Sequence, residues 1–307
     1  MRVVSLLASG TEIVCALDAG RALVGRSHEC DNPAWVSSPP ACTRPAFDVE
    51  VSSGEIDAEV RRRLAANEPL YHVDTELIER LQPDLLITQV HCHVCAVTPD
   101  DIQRDGCIPL ARQVVALSAG NIDGIYEGVG SVARALGLED AGRALVAKMK
   151  GDLYTVTDSV AGRAAPTLVM LEWTDPLFAM GNWGPELVEA ANGRLLLGEK
   201  GQFSHAVQWK EVRAADPDFL IVAPCGFTLE RSLREVALFE ALPGWFEMKA
   251  VRNGRVAFAD GNKYFNRSGT TIVETAQMLA EILHGRVLEQ GWRGTAWLPY
   301  HEARAAT

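Results

Sequence analysis

Two segments of the sequence share one pattern: a helix-forming stretch, a Pro-Asp pair, a short apolar strand and a loop that carries cysteine. They read "IERLQPDLLITQVHC" in the first half of the chain and "VRAADPDFLIVAPCG" in the second. Further β-rich runs alternate with helical patterns around both segments, as in "RVVSLL" followed by "TEIVCALDAG". This alternation predicts parallel β-α-β units, because parallel strands need a crossover connection that is usually a helix.

A long helical stretch separates the two segments. Between residues 122 and 160 apolar positions recur every three to four residues, with an interruption near Gly137, which favours helix over a flexible linker. We therefore predict an α/β fold with two similar Rossmann-like lobes joined by a long backbone helix. The predicted segments are an N-terminal lobe over 1–120, the connecting helix over 121–160, a C-terminal lobe over 161–285 and a tail over 286–307. Ligands of open parallel sheets sit outside the carboxyl ends of the strands, so both cysteine-bearing loops are expected to face a cleft between the lobes.

The first predicted helix carries residues suited to its ends. The Thr11 hydroxyl can accept hydrogen bonds from the exposed amides at the helix start. Gly20 can adopt the left-handed conformation that often ends a helix. We therefore expect the helix to begin at Thr11 and to end before Gly20.

Charge and motif content exclude several classes of function. The chain has 29 Lys and Arg against 40 Asp and Glu, a formal net charge of -11, whereas nucleic-acid binding needs a concentrated basic surface. The sequence has no Gly-x-Gly-x-x-Gly after a strand, no Walker phosphate loop and no Gly-x-Ser-x-Gly elbow. Nucleotide and serine-hydrolase chemistry therefore have no support, and we expect no nucleic-acid partner.

The start of the chain bears on its location. Met1 runs straight into the strand-like "RVVSLLAS", without a basic segment, a separate apolar segment or a cleavage site. Nor does the sequence contain an uninterrupted apolar stretch near 20 residues. We therefore expect a cytoplasmic protein with mostly reduced thiols, or a periplasmic one if the chain is trimmed.

The order of these segments resembles a known family. The layout of "RVVSLLASGTEIVCALDAGRALVGRSHECD", "LQPDLLITQ", a helical spine and "ADPDFLIVAPCG" is similar to the helical-backbone class of ABC-type solute-binding proteins, and most of all to their cobalamin-binding branch. The resemblance covers residues 1 to about 285. It implies two lobes around a shallow, rigid cleft that takes a metal chelate, with haem, siderophores and bare metal ions as other ligands of the class. An ABC permease or an intracellular acceptor protein is the partner that it implies.

Cysteine and histidine cluster after two predicted strands of the first lobe. The motif "HCHVC" supplies Cys92, His93 and Cys95, and "SHECD" supplies His28, Glu29 and Cys30. Thiolate and imidazole are ligands of zinc, iron, copper(I) and cobalt. No second Cys-x-x-Cys follows at zinc-finger spacing, so a site would combine Cys92 and Cys95 with His28 or Cys30. The alternatives are inward packing of one cysteine and a redox disulfide.

Aromatic and polar residues follow the predicted strands of the second lobe. Large aromatic rings can form the flat wall against which a macrocycle lies, while carboxylates and Arg receive its polar substituents. The rings serve equally well as core residues. The candidate ligand-binding residues are Glu172, Trp173, Asp175, Trp183, Cys225, Phe227, Asn262, Tyr264, Phe265 and Arg267.

Two functions are consistent with these patterns. The first is a binding protein that holds a cobalamin-like corrinoid or another metal chelate in the cleft, with Cys and His at its lip. The second is a zinc- or iron-dependent enzyme or metal-handling protein that uses the same Cys and His cluster, with Glu172 or Asp175 as acid or base.

Overall fold

The computed structural model describes residues 1–91, 94, 96–98 and 111–306. The chain divides into two compact units, Met1–Met149 and Lys150–Thr307. Across the residues described, every helix is too short or too polar to cross a membrane. Cys92, His93 and Cys95 lie outside the described residues.

A parallel sheet forms the centre of the first unit. Its strands are β1 (Val3–Ser5), β2 (Leu23–Arg26), β5 (Leu85–Gln89) and β6 (Gln113–Leu117). They lie in the order β2-β1-β5-β6, and every neighbouring pair is parallel. The antiparallel pair β3 (Thr43–Pro45) and β4 (Tyr71–Val73) forms a separate small sheet. The described helices that precede residue 120 are α1 (Ala8–Ala16), α2 (Ser53–Ala65) and α3 (Thr75–Leu81), with 3-10 turns at Gly20–Ala22 and Ala34–Ser37.

Strand β5 shows why the pattern of this unit gives a parallel sheet. All five of its residues are buried, as expected for a strand that is covered on both faces. Leu86 packs with Val4 of β1, Ile78 of α3 and Cys42 in one apolar cluster. Full burial of an aliphatic side chain of this size contributes about 1.5–3 kcal/mol.

Helix α1 begins and ends differently from the sequence expectation. It starts at Ala8, so Thr11 lies inside it, and the Thr11 hydroxyl contacts the Cys30 sulfur at 3.0 Å instead of capping the helix. Gly20 begins a 3-10 turn without a left-handed backbone, and Asp18 takes the positive φ of 58°. A Cβ on Gly20 would stand 2.3 Å from the Trp35 ring. The predicted cap at Thr11 and the predicted left-handed turn at Gly20 were therefore wrong. Each residue instead packs against a residue distant in sequence, Cys30 and Trp35 respectively.

Two consecutive helices confirm the long helical stretch. Helix α4 (Ile122–Leu136) begins where the Asn121 side chain accepts the Gly124 N–H, and α5 (Glu139–Ser159) follows at once. Gly137, at φ 70°, ends α4 in the left-handed conformation. The interruption therefore lies at the predicted residue.

The second unit is built on a mixed sheet. Its strands are β7 (Thr167–Thr174), β8 (Leu177–Ala179), β9 (Arg194–Leu195), β10 (His205–Ala206), β11 (Phe219–Val222), β12 (Val256–Ala259) and β13 (Trp297–Pro299). The order is β10-β8-β7-β11-β12-β13, with β9 also paired to β7. Strands β7, β11 and β12 are parallel, whereas β8, β10 and β13 add antiparallel edges. The α/β class predicted from the sequence is confirmed.

Helices cover this sheet. They are α6 (Gly184–Ala190), α7 (Trp209–Ala215), α8 (Leu229–Leu233), α9 (Val236–Glu240), α10 (Lys249–Arg252), α11 (Ile272–His284) and α12 (Tyr300–Ala306), with a 3-10 turn at Trp245–Glu247 and a π turn at Gly261–Phe265. Trp245, Phe239 and Phe258 are fully buried in the apolar core beneath them. The tail contributes β13, and Glu281 accepts the Trp292 N–H (2.7 Å) and the Trp297 indole N–H (3.1 Å).

Candidate functional site

The carboxyl ends of β7, β11 and β12 bring three of the predicted loops together in the second unit. The Cys225 N–H donates to the Glu172 carbonyl oxygen at 2.8 Å. The Asn262 N–H donates to the Phe227 carbonyl oxygen at 2.9 Å. Because the three parallel strands end at one edge, these backbone bonds join their loops into one surface, which we call the strand-end surface.

Close backbone contact fixes the third loop of the strand-end surface. A Cβ on Gly261 would stand 2.1 Å from the Pro224 carbonyl oxygen. The Asn266 side-chain amide donates to the Ala223 carbonyl oxygen at 2.9 Å and to the Gly261 carbonyl oxygen at 3.0 Å. The loop after β12 therefore lies directly against the end of β11.

The turn at Pro224–Phe227 has the predicted tight form. The Phe227 N–H donates to the Pro224 carbonyl oxygen at 3.0 Å, and Gly226 has a φ of 76°. A positive φ at the third residue of such a turn favours glycine. Cys225 is left half-buried and Phe227 turns into the unit.

An aromatic pair marks the centre of the strand-end surface. The Trp173 and Phe227 ring centroids are 5.1 Å apart, at 55°. Phe227 is buried, while Trp173 is only partly buried and donates its indole N–H to the Asp175 carbonyl oxygen at 3.1 Å. Glu172 is half-buried and Asp175 is exposed. The surface therefore combines a partly exposed indole ring with two carboxylates.

A largely buried ion pair lies against this aromatic pair. The Arg231 guanidinium lies 4.2 Å from the Phe227 ring centroid and pairs with Glu235 at 3.0 Å. The Thr174 hydroxyl donates to the other Glu235 oxygen at 2.6 Å. The sequence analysis missed these three residues, although the spacing of four between Arg231 and Glu235 is a signal for such a pair.

Four other predicted ligand residues are buried. Trp183 is 6% exposed, Phe265 0% and Tyr264 9%. The Tyr264 ring packs edge-on against Trp292 at 5.5 Å, and burial raises its pKa. Arg267 is also buried, and its guanidinium donates to the Asn262 side-chain oxygen at 3.2 Å. This bond joins the buried Arg267 to Asn262 of the strand-end surface.

In the first unit, "SHECD" follows β2 as predicted. Cys30 is 2% exposed, with its sulfur against the Thr11 hydroxyl. His28 and Glu29 are half-buried. Burial and the nearby Arg26 lower the pKa of His28 to about 4, so its imidazole is neutral at pH 7.

The predicted metal cluster lies partly beyond the described part of the chain. Strands β2 and β5 flank β1 and run parallel to it, so the loops after them leave the sheet at one edge. Cys92, His93 and Cys95 fall outside the described residues. In the part of the chain that the structure describes, no group of three His, Cys, Asp or Glu side chains is arranged to hold a metal ion.

Comparisons with known proteins give consistent results. The sequence model of a family described as "periplasmic binding protein" matches residues 3–262. The periplasmic heme-binding protein RhuT from Roseiflexus sp. RS-1 has a TM-score of 0.68 at 19% identity, over 94% of this chain and 99% of that one. A periplasmic heme-binding protein from Pseudomonas aeruginosa has a TM-score of 0.68 at 19% identity, over 91% of this chain and 91% of that one.

A third solved structure has the same fold. The periplasmic vitamin B12 binding protein BtuF of Vibrio cholerae has a TM-score of 0.64 at 15% identity, over 94% of this chain and 98% of that one. Curated protein sequences gave no significant match.

Proposed function

Because the chain belongs to the periplasmic binding protein family, we propose that it binds a planar metal chelate of the cobalamin-like corrinoid type. The observation that carries this proposal is the partly exposed Trp173 ring, which packs at a tilt of 55° against Phe227 and has Glu172 and Asp175 close to it in the chain. An indole face suits a flat macrocycle, and carboxylates accept hydrogen bonds from amide substituents at its rim.

The rigidity of the strand-end surface supports a binding role. The surface is tied together by main-chain hydrogen bonds from Cys225 and Asn262 and by the Asn266 amide. A preformed surface loses little conformational entropy when it takes up a rigid ligand. RhuT and BtuF, which have the same fold, are heme- and vitamin B12-binding proteins respectively.

Gel filtration with hydroxocobalamin tests the proposal. We expect wild-type protein to retain the ligand and to show a changed visible spectrum. Trp173→Ala is expected to raise the Kd about tenfold, because the loss of one aromatic contact costs about 1–2 kcal/mol.

Phe246→Ala is the matched control for Trp173→Ala. Phe246 is 56% exposed and lies three residues before Lys249, whose N–H bonds the Asp216 carboxylate at the amino end of β11. We expect this variant to bind hydroxocobalamin as the wild type does. Stoichiometric zinc or iron in the purified protein, together with no retention of hydroxocobalamin, would instead support the metal-dependent enzyme.

The delivery partner follows from the location of the protein. We propose that it passes its ligand to an ABC permease if it is periplasmic and to an intracellular acceptor if it is cytoplasmic. Fractionation of cells that produce the untagged full-length protein distinguishes these two routes.

A further inference from the structure

The loop after β12 carries two half-buried side chains at the strand-end surface. These are Asn262 and Lys263, whereas the next two residues, Tyr264 and Phe265, are buried in the second unit. The loop forms a π turn, and the Asp260 carboxylate accepts the Lys263 N–H at 2.7 Å at its start. Turns of this kind are rare and often lie at functional sites. A contact that fixes Tyr264 therefore also fixes the two half-buried side chains just before it.

The C-terminal tail supplies the packing partner of Tyr264. The Tyr264 ring meets the Trp292 ring edge-on, with centroids 5.5 Å apart at 69°, and both residues are buried. The Lys263 ammonium lies over the same Tyr264 ring, 5.2 Å from its centroid. Edge-to-face packing of two rings and a cation over a ring face are both favourable contacts. The Tyr264 ring thus connects Trp292 of the tail to a side chain of the strand-end surface.

Hydrogen bonds hold the tail in place beside this loop. The Asp260 N–H donates to the Ala296 carbonyl oxygen at 2.9 Å, at the entry to the loop. One carboxylate oxygen of Glu281, in α11, accepts both the Trp292 main-chain N–H and the Trp297 indole N–H. Trp292 is therefore held by groups other than the loop against which its ring packs.

The ring of Trp292, rather than its indole N–H, makes the contact with Tyr264. Trp292 is 8% exposed, and among the residues that the structure describes its indole N–H has no hydrogen-bond acceptor. The side chain therefore contributes a large aromatic surface. Another aromatic ring at this position should replace it, whereas an aliphatic side chain should not.

We propose that Trp292 is a positioning residue for ligand binding, which acts through Tyr264 on Asn262 and Lys263. This inference rests on the proposed function. Trp292 lies beyond residue 262, where the match to the family model ends. The tail is then part of the binding apparatus of the second unit, and ligand affinity depends on a ring that is buried behind the strand-end surface.

Two substitutions of Trp292 test this role through the Kd for hydroxocobalamin, measured by equilibrium dialysis. Trp292→Leu removes the aromatic contact and should raise the Kd about fivefold, the order expected for the loss of one aromatic pair. Trp292→Phe keeps a ring against Tyr264 and should stay within about twofold of the wild-type value. Arg293→Ala removes an exposed ion pair of the same tail and is the matched control, with an unchanged Kd.

Hydrogen–deuterium exchange of the ligand-free protein measures the positioning directly. The Asn262 N–H bonds the Phe227 carbonyl oxygen, so a peptide that covers the π turn should exchange faster in Trp292→Leu than in the wild type. A peptide that covers β11 should exchange at the wild-type rate, which shows that the sheet is folded. If β11 also exchanges faster, Tyr264→Leu, which removes the other ring of the pair, replaces Trp292→Leu in both measurements.

A double variant tests whether Trp292 acts on the ligand through the loop. Asn262→Ala alone should also raise the Kd for hydroxocobalamin. Combined with Trp292→Leu, it should raise the Kd by less than the product of the two separate effects, because both changes weaken the same contact with the ligand.

The possible failures are distinct. If the wild type does not bind hydroxocobalamin, the proposed function fails, and the positioning role fails with it. If the wild type binds and Trp292→Leu binds equally well, the positioning role alone is overturned. The same conclusion follows if Trp292→Phe loses as much affinity as Trp292→Leu, or if the effects of Asn262→Ala and Trp292→Leu simply multiply.

Discussion

Asp84 and Asp218 occupy equivalent positions in the two units, and each carboxylate accepts the N–H of a residue at the start of the leading strand of its sheet. Asp84 accepts from Arg2 at 2.8 Å, just before β1, and Asp218 accepts from Thr167 at 2.9 Å, the first residue of β7. Each follows a proline and a residue with positive φ, Gln82 in one unit and Asp216 in the other. In both units the aspartate of the Pro-Asp pair therefore links the residue just before one strand to the start of the neighbouring strand: β5 to β1 in the first unit, and β11 to β7 in the second.

Asp218→Asn is expected to destabilise the protein by about 1–2 kcal/mol at pH 6, the range for a charge-assisted hydrogen bond at a partly exposed site. Lys249 and the Thr167 donors lower the pKa of Asp218 from 3.8 to about 2. A carboxyl group with a lowered pKa stabilises the fold above its unfolded value and loses that contribution as the pH falls through its folded value. The difference between variant and wild type should therefore shrink as the pH falls from about 4 to 2.

Urea unfolding at pH 6, 4 and 2.5 measures this difference. Asp158→Asn, which changes an exposed carboxylate on α5, is the control and should stay within about 0.5 kcal/mol of the wild type. An Asp218→Asn deficit as large at pH 2.5 as at pH 6 would contradict the ionic contribution.

Glu235→Ala should lower the free energy of unfolding by about 3 kcal/mol, the lower end of the range for a buried pair, because it leaves the largely buried Arg231 charge without this partner. The Arg293–Glu302 pair is exposed, so Glu302→Ala should cost about 1 kcal/mol or less. Equilibrium unfolding in urea compares the two variants. Equal losses would mean that burial does not strengthen the Arg231–Glu235 pair.

Gly261→Ala is expected to destabilise the second unit by about 1–3 kcal/mol, because the added methyl group would meet the Pro224 carbonyl oxygen. Gly151→Ala is the matched control. Gly151 lies within α5 with open space around it, so Gly151→Ala should raise the free energy of unfolding by about 0.5–1 kcal/mol. Thermal unfolding should show a lowered Tm for Gly261→Ala and a raised Tm for Gly151→Ala. An unchanged Tm for Gly261→Ala would show that the loop can move away from β11.

Thiol labelling should distinguish the cysteines of the described chain. Cys225 is half-buried, while Cys30 and Cys42 are buried, and burial raises the pKa of both Cys15 and Cys42 to about 11. Since the thiolate is the reactive form, we expect Cys225 to react first at pH 8. A maleimide pulse followed by peptide mass spectrometry measures the rates. Labelling of Cys30 as fast as Cys225 in the native protein would contradict its burial.

The regular elements of both units could be predicted because their signals are local. The apolar run of β5 and the helical period on either side of Gly137 are properties of consecutive residues. Thr11 shows where such reasoning fails, since its hydroxyl contacts Cys30, which is 19 residues away. The edge strands β8, β10 and β13 were not predicted either, because a short strand is defined by the partner that it meets.

The meeting of the loops after β7, β11 and β12 could be predicted from the sequence, whereas the burial of their side chains could not. Strand order and direction place Trp173, Cys225 and Asn262 at one edge, as the sequence pattern indicated. Sequence periodicity could not distinguish the partly exposed Trp173 from the buried Trp183. An aromatic residue that follows a strand can equally well form part of a ligand-binding surface or pack in the hydrophobic core. The choice depends on packing across the unit.

Strand β13 gives the second unit a particular order of assembly during protein synthesis. It pairs with β12 through Phe258 and Leu298, far beyond the last parallel strand in sequence. Until residues 297–299 have left the ribosome, the backbone groups along that side of β12 have no strand to pair with. We therefore expect the nascent chain to present an open sheet edge at that stage, while the first unit, which is earlier in the sequence, can already fold.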